Sequence, residues 1–312
     1  MTLTELRYIV AVARERHFGR AAEACFVSQP TLSMGVKRLE EELGVEIFER
    51  SKNEVKLTAA GEEIVTQAQR ALEEADRIKE IAEHGKDPLA GPLRFGTIYT
   101  IGPYLLPHLI PELHQRAPRM PLLLEENYTA VLAEKLKRGQ LDVILISLPF
   151  AEPGIRTWPV YDEPFVVLLP SSHPLQGQTK ISSEELARQN LLLLGQGHCF
   201  RDQVLQVCPE CNRSAATEGS MQKTLEGSSL ETIRHMVASG MGSTVLPCSA
   251  AGADQYSRRL VTIRRFADPA PTRRVALAWR DSFHRIPAIQ ALHDAIQASP
   301  LTCVEMLNLP LD

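Results

Sequence analysis

Residues 28–50 read SQPTLSMGVKRLEEELGVEIFER, and this stretch decides how the first part of the chain folds. Ser28 can cap a helix, and Pro30 suits a first helical turn because a missing N–H costs nothing there. Gly44 can end the helix, since glycine tolerates the left-handed backbone that follows a last turn. The apolar residues at helical spacing form a stripe that we expect to be buried: Leu32, Val36, Leu39 and Leu43. The stretch therefore predicts one helix with a defined start and end.

The segments on either side of this helix complete a small domain. Two short helical patterns precede it, and two short strand-like runs, 46–50 and 54–57, follow it. Helix, turn, helix and hairpin in this order are typical of a winged helix-turn-helix, which places the start of its last helix against base edges in the major groove. Glutamine there can pair with adenine, and threonine can touch a thymine methyl group or a phosphate. The side chains at that start are Gln29, Thr31 and Ser33.

A long helix is predicted from Thr58 to about Gly85. Its apolar residues follow a near-heptad spacing, but the stripe is too thin to fold alone, so we expect it to pair with a second copy. The segment 87–92 contains proline and glycine and is predicted to be a linker. From Leu93 onward, short apolar runs alternate with helical patterns. This alternation predicts an α/β fold with mainly parallel strands, arranged as two lobes with a ligand cleft between them.

The predicted domain boundaries follow from these patterns. We expect a winged helix-turn-helix DNA-binding domain at 1–58, a linker and dimerisation helix at 59–87, and a two-lobed regulatory domain at 88–312. Lobe I is expected at about 92–162 and 268–300, and lobe II at about 163–267.

The composition narrows the class of protein. The net charge is −4, so any binding of nucleic acid depends on local arrangement. No apolar run approaches the roughly 18 residues that a membrane span needs, and the first residues lack the pattern of a signal peptide. The six cysteines do not have the spacing of a small secreted domain. We expect a cytoplasmic protein with reduced thiols and no membrane partner.

Three of the six cysteines fall within GHCFRDQVLQVCPEC, residues 197–211. The apolar residues after Cys199 follow a helical stripe, which places this cysteine near a helix N-terminus. A helix N-terminus stabilises negative charge, and His198 and Arg201 add to that effect if they are charged. Asp202 opposes it unless it instead holds Arg201 in place. These features favour a thiolate, the reactive form of cysteine.

The residues alone leave several interpretations of this cluster open. A bond between Cys199 and Cys208 would require the helix to unwind, because nine helical residues span about 13 Å whereas disulfide Cα atoms lie about 4.4–6.8 Å apart. His198, Cys199, Cys208 and Cys211 could instead bind zinc. The CxxC motif at 208–211 could belong to a thioredoxin-like enzyme. Finally, the cysteines could be small buried side chains.

The N-terminal sixty residues resemble the DNA-binding domain of LysR-type transcriptional regulators. The blocks SQPTLS, LEEELGVEIFER and LTAAGE carry the resemblance, which extends over the whole chain. It implies a winged helix-turn-helix with a long linker helix, then a two-lobed effector domain of the periplasmic-binding-protein-like α/β type. It also implies a homotetramer built as a dimer of dimers. The positions that match the family's DNA contacts are Gln29, Pro30, Thr31, Ser33 and Arg50.

The cysteine segment is similar to the OxyR branch of that family, the hydrogen peroxide sensors. LLLLGQGHCFRDQVLQVC and GSSLETIRHMVASGMGSTVLP carry this similarity. It implies that Cys199 reacts with hydrogen peroxide and that Cys208 resolves the resulting sulfenic acid as a disulfide. The residues matching the branch's peroxide pocket and its flank are Thr100, Thr129, His198, Arg201 and Asp202. Cys211 is an additional thiol that could compete with Cys208 or exchange with it.

The similarity implies a regulator of oxidative-stress genes that binds double-stranded promoter DNA, recruits RNA polymerase and is reset by cellular disulfide reductants. It implies no cofactor, no bound metal and no enzymatic turnover. Two other hypotheses remain. One is a LysR-type regulator whose cleft binds a small-molecule effector, with incidental cysteines. The other is a thiol peroxidase, which the winged helix-turn-helix argues against.

Overall fold

The computed structural model describes residues 1–50, 55–84, 87–209, 226–252 and 259–311. The chain divides into two compact units, Met1–Asp87 and Pro88–Asp312, which we call unit 1 and unit 2. None of the described helices is long and apolar enough to cross a membrane.

Unit 1 is a winged helix-turn-helix followed by a long helix, which confirms the predicted fold class for this part of the chain. Its elements are α1 (Leu3–Glu15), α2 (Phe18–Ala24), α3 (Gln29–Leu43), β1 (Phe48–Arg50), β2 (Val55–Leu57) and α4 (Ala59–His84). The strands pair antiparallel, from Phe48 with Leu57 to Arg50 with Val55. The predicted turn at 51–53 lies outside the described residues.

The caps of α3 are the predicted ones. The hydroxyl oxygen of Ser28 accepts a hydrogen bond from the backbone N–H of Thr31, and Pro30 lies in the first turn. Gly44 closes the helix in the left-handed conformation, with φ of 70°. The buried stripe of Leu32, Val36 and Leu39 packs into the core of unit 1. Capping and burial therefore fix the start of α3, which carries the predicted DNA contacts.

Unit 2 alternates strands and helices. Its helices are α5 (Gly102–Arg116), α6 (Thr129–Lys137), α7 (Ser183–Ala187), α8 (Cys199–Val207), α9 (Leu230–Ala238), α10 (Cys248–Ala251) and α11 (Ile286–Ala298), with a short 3-10 turn at Pro174–Gly177. Its strands are β3 (Leu93–Ile98), β4 (Leu122–Asn127), β5 (Val143–Ser147), β6 (Ile155–Pro170), β7 (Lys180–Ile181), β8 (Leu193–Leu194), β9 (Glu226–Gly227), β10 (Thr244–Pro247), β11 (Val261–Phe266), β12 (Thr272–Arg280) and β13 (Glu305–Met306).

The main sheet is mixed, so the expectation of mainly parallel strands was wrong. Its order is β4-β3-β5-β12-β6-β11-β7, with β10 and β13 also paired to β6. Strand β3 pairs parallel with β4 and β5, whereas β12 pairs antiparallel with both β5 and β6. The physical reason is a return crossing. The chain leaves the first half of the sheet along β6 and comes back along β11 and β12, which makes the returning strands antiparallel to β6.

Two hydrophobic cores lie on either side of this crossing. The first is formed by residues of 93–161 and 275–296, and we call the part around it lobe I. The second is formed mainly by residues of 165–266, and we call it lobe II. Strand β6 contributes to both cores, since Trp158 and Val160 belong to the first and Val167 to the second. The two lobes are therefore joined by continuous backbone within one sheet.

Candidate redox site

Cys199 and Cys208 lie at opposite ends of the fully formed helix α8. Cys199 is its first residue, and Cys208 follows its last residue as the C-cap. Cys199 is a free thiol. Cys208 is not among the free thiols, and it is not bonded to Cys199. The predicted helix is confirmed, and its intact turns keep these two sulfur atoms apart, because a helix of this length spans about 13 Å.

Helix α8 lies between the lobes of unit 2. Phe200, Val204 and Cys208 are buried in the core of lobe II, whereas Cys199 packs against the core of lobe I. The side chain of Gln203 extends the contact to lobe I. Its Nε2 donates to Ser147 Oγ at 2.8 Å and to the carbonyl oxygen of Leu148 at 3.3 Å. Unwinding α8 would therefore disturb both lobes.

Three rings bring the segments of the predicted pocket together. The ring of His198 lies 4.8 Å from that of Tyr128 and 5.9 Å from that of Tyr99, centroid to centroid, and the two tyrosine rings are 5.4 Å apart. All three pairs are edge-to-face. The residues that directly follow these rings in the sequence are Cys199, Thr129 and Thr100. The aromatic cluster thus collects three separate segments at the N-terminal end of α8.

Thr100 is held by a buried arginine. Arg273 Nη1 donates to Thr100 Oγ1 at 2.8 Å, and its Nη2 donates to the Thr100 carbonyl oxygen at 2.8 Å. The same guanidinium pairs with the carboxylate of Glu163, and both of these side chains are fully buried. Because a guanidinium only donates hydrogen bonds, the Thr100 hydroxyl accepts from Arg273 and keeps its own proton for another acceptor. The geometry makes Thr100 a hydrogen-bond donor.

Thr129 is the first residue of α6, and its Oγ1 is buried without a hydrogen-bond partner. A buried hydroxyl without a partner costs free energy unless a ligand or water satisfies it. Thr129 directly follows Tyr128, whose ring contacts His198. The hydroxyl is therefore suited to bind a small polar ligand beside the aromatic cluster.

His198 is the N-cap of α8 and only 6% exposed. Burial lowers the pKa of its imidazole below the ordinary value, and a hydrogen bond with the backbone of Ser228 offsets part of that effect. The side chain is therefore neutral at neutral pH. Its contribution to the site is a polar, uncharged ring, and not the positive charge that the sequence allowed.

The two charged residues that follow Cys199 in α8 differ, because Arg201 has partners outside the helix whereas Asp202 is exposed. Arg201 Nη1 donates to the carbonyl oxygen of Leu194 and to Glu226 Oε1, each at 2.7 Å. Asp202 is exposed in the first turn of α8. Glu226, rather than Asp202, thus pairs with Arg201 and links the start of α8 to strand β9.

The remaining cysteines divide into three groups. Cys248 and Cys303, for which the sequence suggested no role, form a disulfide. Cys25 is a free, half-buried thiol that packs against the core of unit 1. Cys211 lies outside the described residues. Among the described residues no cluster of three or more His, Cys, Asp or Glu is placed to hold a metal ion.

Four of the five predicted DNA contacts lie at the start of α3. Gln29, Pro30 and Thr31 are exposed, and Ser33 is half-buried. The hydroxyl groups of Ser28 and Thr31 lie 2.8 Å apart and hydrogen-bond to each other. Arg50 ends strand β1. The start of α3 is therefore open to a partner.

Sequence reasoning did not single out Tyr99, Tyr128, Gln203 or Arg273. The tyrosines precede predicted pocket residues, which is a weak signal because any ring could serve a core. Gln203 lies outside the apolar stripe of its helix, so the sequence pattern predicts that it faces solvent. Arg273 is 173 residues from Thr100 in the sequence, so only the folded chain brings them together.

Comparisons with known proteins support the resemblance seen in the sequence. Residues 3–62 match the family described as "Bacterial regulatory helix-turn-helix protein, lysR family", and residues 86–300 match "LysR substrate binding domain". A "Probable hydrogen peroxide-inducible genes activator" of Streptomyces viridosporus is 40% identical over 97% of this chain and 97% of the relative. The "DNA-binding transcriptional dual regulator OxyR" of Escherichia coli is 38% identical over 96% and 95%.

Two solved structures of OxyR proteins are also similar to this chain. A full-length OxyR from Pseudomonas aeruginosa, in which a cysteine is replaced by aspartate, is 57% identical and covers 96% of this chain and 99% of its own, with a TM-score of 0.74. A peroxide-bound cysteine-to-serine variant of OxyR from Corynebacterium glutamicum is 33% identical, with coverage of 95% and 91% and a TM-score of 0.63.

Proposed function

The chain belongs to the LysR family of bacterial transcriptional regulators and within it to the OxyR branch, and from that premise we propose that it is a transcription regulator that senses hydrogen peroxide through Cys199. The observation that carries this proposal is the aromatic cluster of Tyr99, Tyr128 and His198. Its three rings bring together the segments in which Thr100, Thr129 and Cys199 are the next residues.

The first chemical step is oxidation of Cys199. Its thiolate attacks one oxygen of hydrogen peroxide, the O–O bond breaks, and Cys199 becomes a sulfenic acid while hydroxide leaves. The departing oxygen needs a hydrogen-bond donor in a site that water does not fill. Thr100 is such a donor because Arg273 occupies its acceptor side, and Thr129 offers a second buried hydroxyl.

In the fully reduced protein, the second step is condensation of the sulfenic acid with the thiol of Cys208, which forms a disulfide and releases water. Cysteine Cα atoms in a disulfide lie about 4.4–6.8 Å apart, far less than the length of α8. Helix α8 must therefore unwind, which breaks the Gln203 contacts with lobe I and the burial of Phe200 and Val204 in lobe II. Arg201 and Asp202 belong to this moving segment.

The DNA-binding surface is formed by Gln29, Pro30, Thr31, Ser33 and Arg50. We assign 1–58 to DNA binding, 59–87 to the linker and dimerisation helix, and 88–312 to the regulatory domain. The exposed Ile78 on α4 supports pairing of this helix with a second copy, and two such pairs form the tetramer. The oxidised tetramer contacts RNA polymerase at promoters in the cytoplasm, where cellular reductants return the disulfide to thiols. One oxidation per reset makes the protein a switch and not an enzyme.

Peptide mapping by mass spectrometry tests the proposal. Fully reduced protein is treated with stoichiometric hydrogen peroxide without oxygen, remaining thiols are alkylated, and bonds are identified. We expect a Cys199–Cys208 disulfide in the parent chain, none in Cys199→Ser, and a trapped sulfenic acid at Cys199 in Cys208→Ser. Cys25→Ser is the matched control, because Cys25 is the other free thiol among the described residues.

The other outcomes are equally informative. A bond from Cys208 to Cys211 would leave Cys199 as the sensor but assign the final disulfide differently. An unoxidised Cys199 would refute the peroxide proposal and leave a LysR-type regulator that answers to a small-molecule effector.

A further inference from the structure

Cys248 and Cys303 connect the two lobes of unit 2. Cys248 begins α10 and packs against the core of lobe II. Cys303 lies in the C-terminal segment, whose residues Leu301, Val304 and Met306 pack against the core of lobe I. Their Cα atoms are 6.1 Å apart, and 55 residues separate them in the sequence. The disulfide is therefore a covalent link between lobes, in addition to the two strand crossings.

The C-terminal segment stays attached to lobe I without this disulfide. Strand β13 pairs with β6, and Leu307 N–H donates to the carbonyl oxygen of Val160 at 2.9 Å. Trp158 Nε1 donates to the carbonyl oxygen of Leu309 at 2.9 Å, and Gln297 Nε2 donates to that of Leu307 at 3.0 Å. Breaking the disulfide would release the link between lobes and leave both anchors folded.

The disulfide also touches the polar network that ends at Thr100. The sulfur of Cys248 lies 4.0 Å from Glu163 Oε1, and the backbone N–H of Ser249 donates to the same oxygen at 3.0 Å. Glu163 pairs with Arg273, and Arg273 holds Thr100. A change at Cys248 is therefore one contact away from the buried pair that positions the predicted hydrogen-bond donor.

We propose that Cys248 and Cys303 form a second, reversible thiol–disulfide site that fixes the lobes relative to each other when oxidised. Its reactants are small-molecule thiols and disulfides of the glutathione class. Cys303 is exposed and can be reached from solvent, whereas Cys248 is half-buried beside a carboxylate that disfavours its thiolate. Cys303 is therefore the point of entry.

Thiol–disulfide exchange at this site conserves atoms and electrons in both directions. The Cys303 thiolate attacks the small disulfide, a mixed disulfide forms, and one small thiolate leaves. The Cys248 thiolate then attacks the Cys303 sulfur, the protein disulfide forms, and the second small thiolate leaves. Two protein thiols are oxidised, one small disulfide is reduced to two thiols, and no oxygen atom is transferred. Reduction follows the same steps in reverse.

The consequence for signalling rests on the proposed function. Attack of peroxide on Cys199 needs no movement between lobes, but unwinding of α8 releases contacts with both. We expect the closed Cys248–Cys303 bond to slow conversion of the Cys199 sulfenic acid into a disulfide and to leave sulfenic acid formation unchanged. The ratio of thiols to disulfides in the cell would then control how fast peroxide switches the protein, because that ratio decides whether the Cys248–Cys303 bond is closed.

A glutathione titration tests the site itself. The full chain is equilibrated with reduced and oxidised glutathione at varied ratios, quenched in acid, alkylated and mapped. We expect the Cys248–Cys303 bond to form and break reversibly within that range in Cys199→Ser as well as in the parent chain. A bond that never forms from the reduced protein, or one that no ratio of glutathione reduces, would overturn the proposal.

A kinetic comparison tests the coupling. Chains with the bond closed, the bond reduced, or the substitutions Cys248→Ser and Cys303→Ser are mixed with peroxide, and both oxidation steps are followed in time. We expect the second step to be at least about threefold slower with the bond closed, a modest coupling between sites. Cys25→Ser, a cysteine substitution in unit 1, should change neither step. Equal second-step rates would refute the coupling, whereas absence of any Cys199 oxidation would refute the proposed function and leave the glutathione titration valid.

Discussion

At the residue scale, Arg273 links a buried ion pair to the predicted peroxide pocket. Its guanidinium is buried with Glu163 and also holds Thr100. Arg273→Met would leave the Glu163 carboxylate buried without its partner, which costs about 3–5 kcal/mol of unfolding free energy. Urea unfolding of the variant measures this loss. The double variant Arg273→Met with Glu163→Met should recover most of it, because neither charge is then buried. A loss below about 1 kcal/mol in the single variant would show that the pair does not stabilise the junction between lobes.

His198 gives unit 2 a pH dependence of predictable sign. Burial lowers the pKa of the folded imidazole below 6.5, whereas the unfolded chain binds its proton near that value. The unfolded state thus binds more protons as pH falls below about 6.5, and stability decreases there. Above that pH both states are neutral and the stabilisation is fully present. The urea midpoint of the parent chain should therefore fall more between pH 7.5 and about 5.5 than that of His198→Asn.

The control for this pH effect is His235→Asn, since His235 is an exposed histidine of the same unit. It should show the parent's pH dependence. If His198→Asn and the parent lose stability equally on acidification, the buried imidazole does not control this pH dependence.

At the element scale, the contact of α8 with lobe I is testable through one side chain. Gln203→Leu removes the hydrogen bonds to Ser147 and Leu148, each worth about 0.5–1.5 kcal/mol net. Since those bonds must break when α8 unwinds, we expect the Cys199 sulfenic acid to pass into a disulfide about 2- to 10-fold faster. Rapid-quench alkylation followed by mass spectrometry measures the rate. Gln206→Leu, on the exposed face of the same helix, should leave it unchanged.

Helix α3 supplies a prediction of a different kind. Gln29 is exposed at the capped start of α3, so its amide is available for a base edge. Gln29→Ala should weaken binding to a specific promoter site by about 1–3 kcal/mol while binding to unrelated DNA stays the same. Fluorescence anisotropy with both duplexes separates the two effects. Equal weakening on both would mean that Gln29 contacts the backbone of DNA and reads no base.

The elements show which parts of the fold and site were predictable from the sequence. Helices α3 and α8 were predicted because their apolar patterns are local, and so are the caps of α3. The mixed sheet was missed because the direction of β12 depends on where the chain crosses back between lobes. The Cys248–Cys303 bond was missed for a similar reason, since residues 55 apart carry no mutual signal. Pocket residues were assigned by resemblance, and the ring contacts that bring their segments together follow only from the folded chain.

At the scale of the whole molecule, the proposed peroxide chemistry and the predicted DNA contacts belong to different units. Every predicted redox residue lies in Pro88–Asp312, and every predicted DNA contact lies in Met1–Asp87. Each unit has its own hydrophobic core, so each is expected to fold without the other. The peroxide reaction should then be a local property of unit 2, while the response of DNA requires the complete chain.

A fragment of residues 88–312 tests this division. We expect it to form the same peroxide-induced disulfide as the full chain, at a rate within about twofold, because the rings, Thr100, Arg273 and α8 all belong to it. It should not bind promoter DNA in either redox state. The full chain should bind in both states, with a footprint that changes on oxidation. A fragment that folds, by circular dichroism, but reacts more than about tenfold slower would show that unit 1 or the assembly it forms helps to build the peroxide site. The sensor would then depend on its quaternary structure.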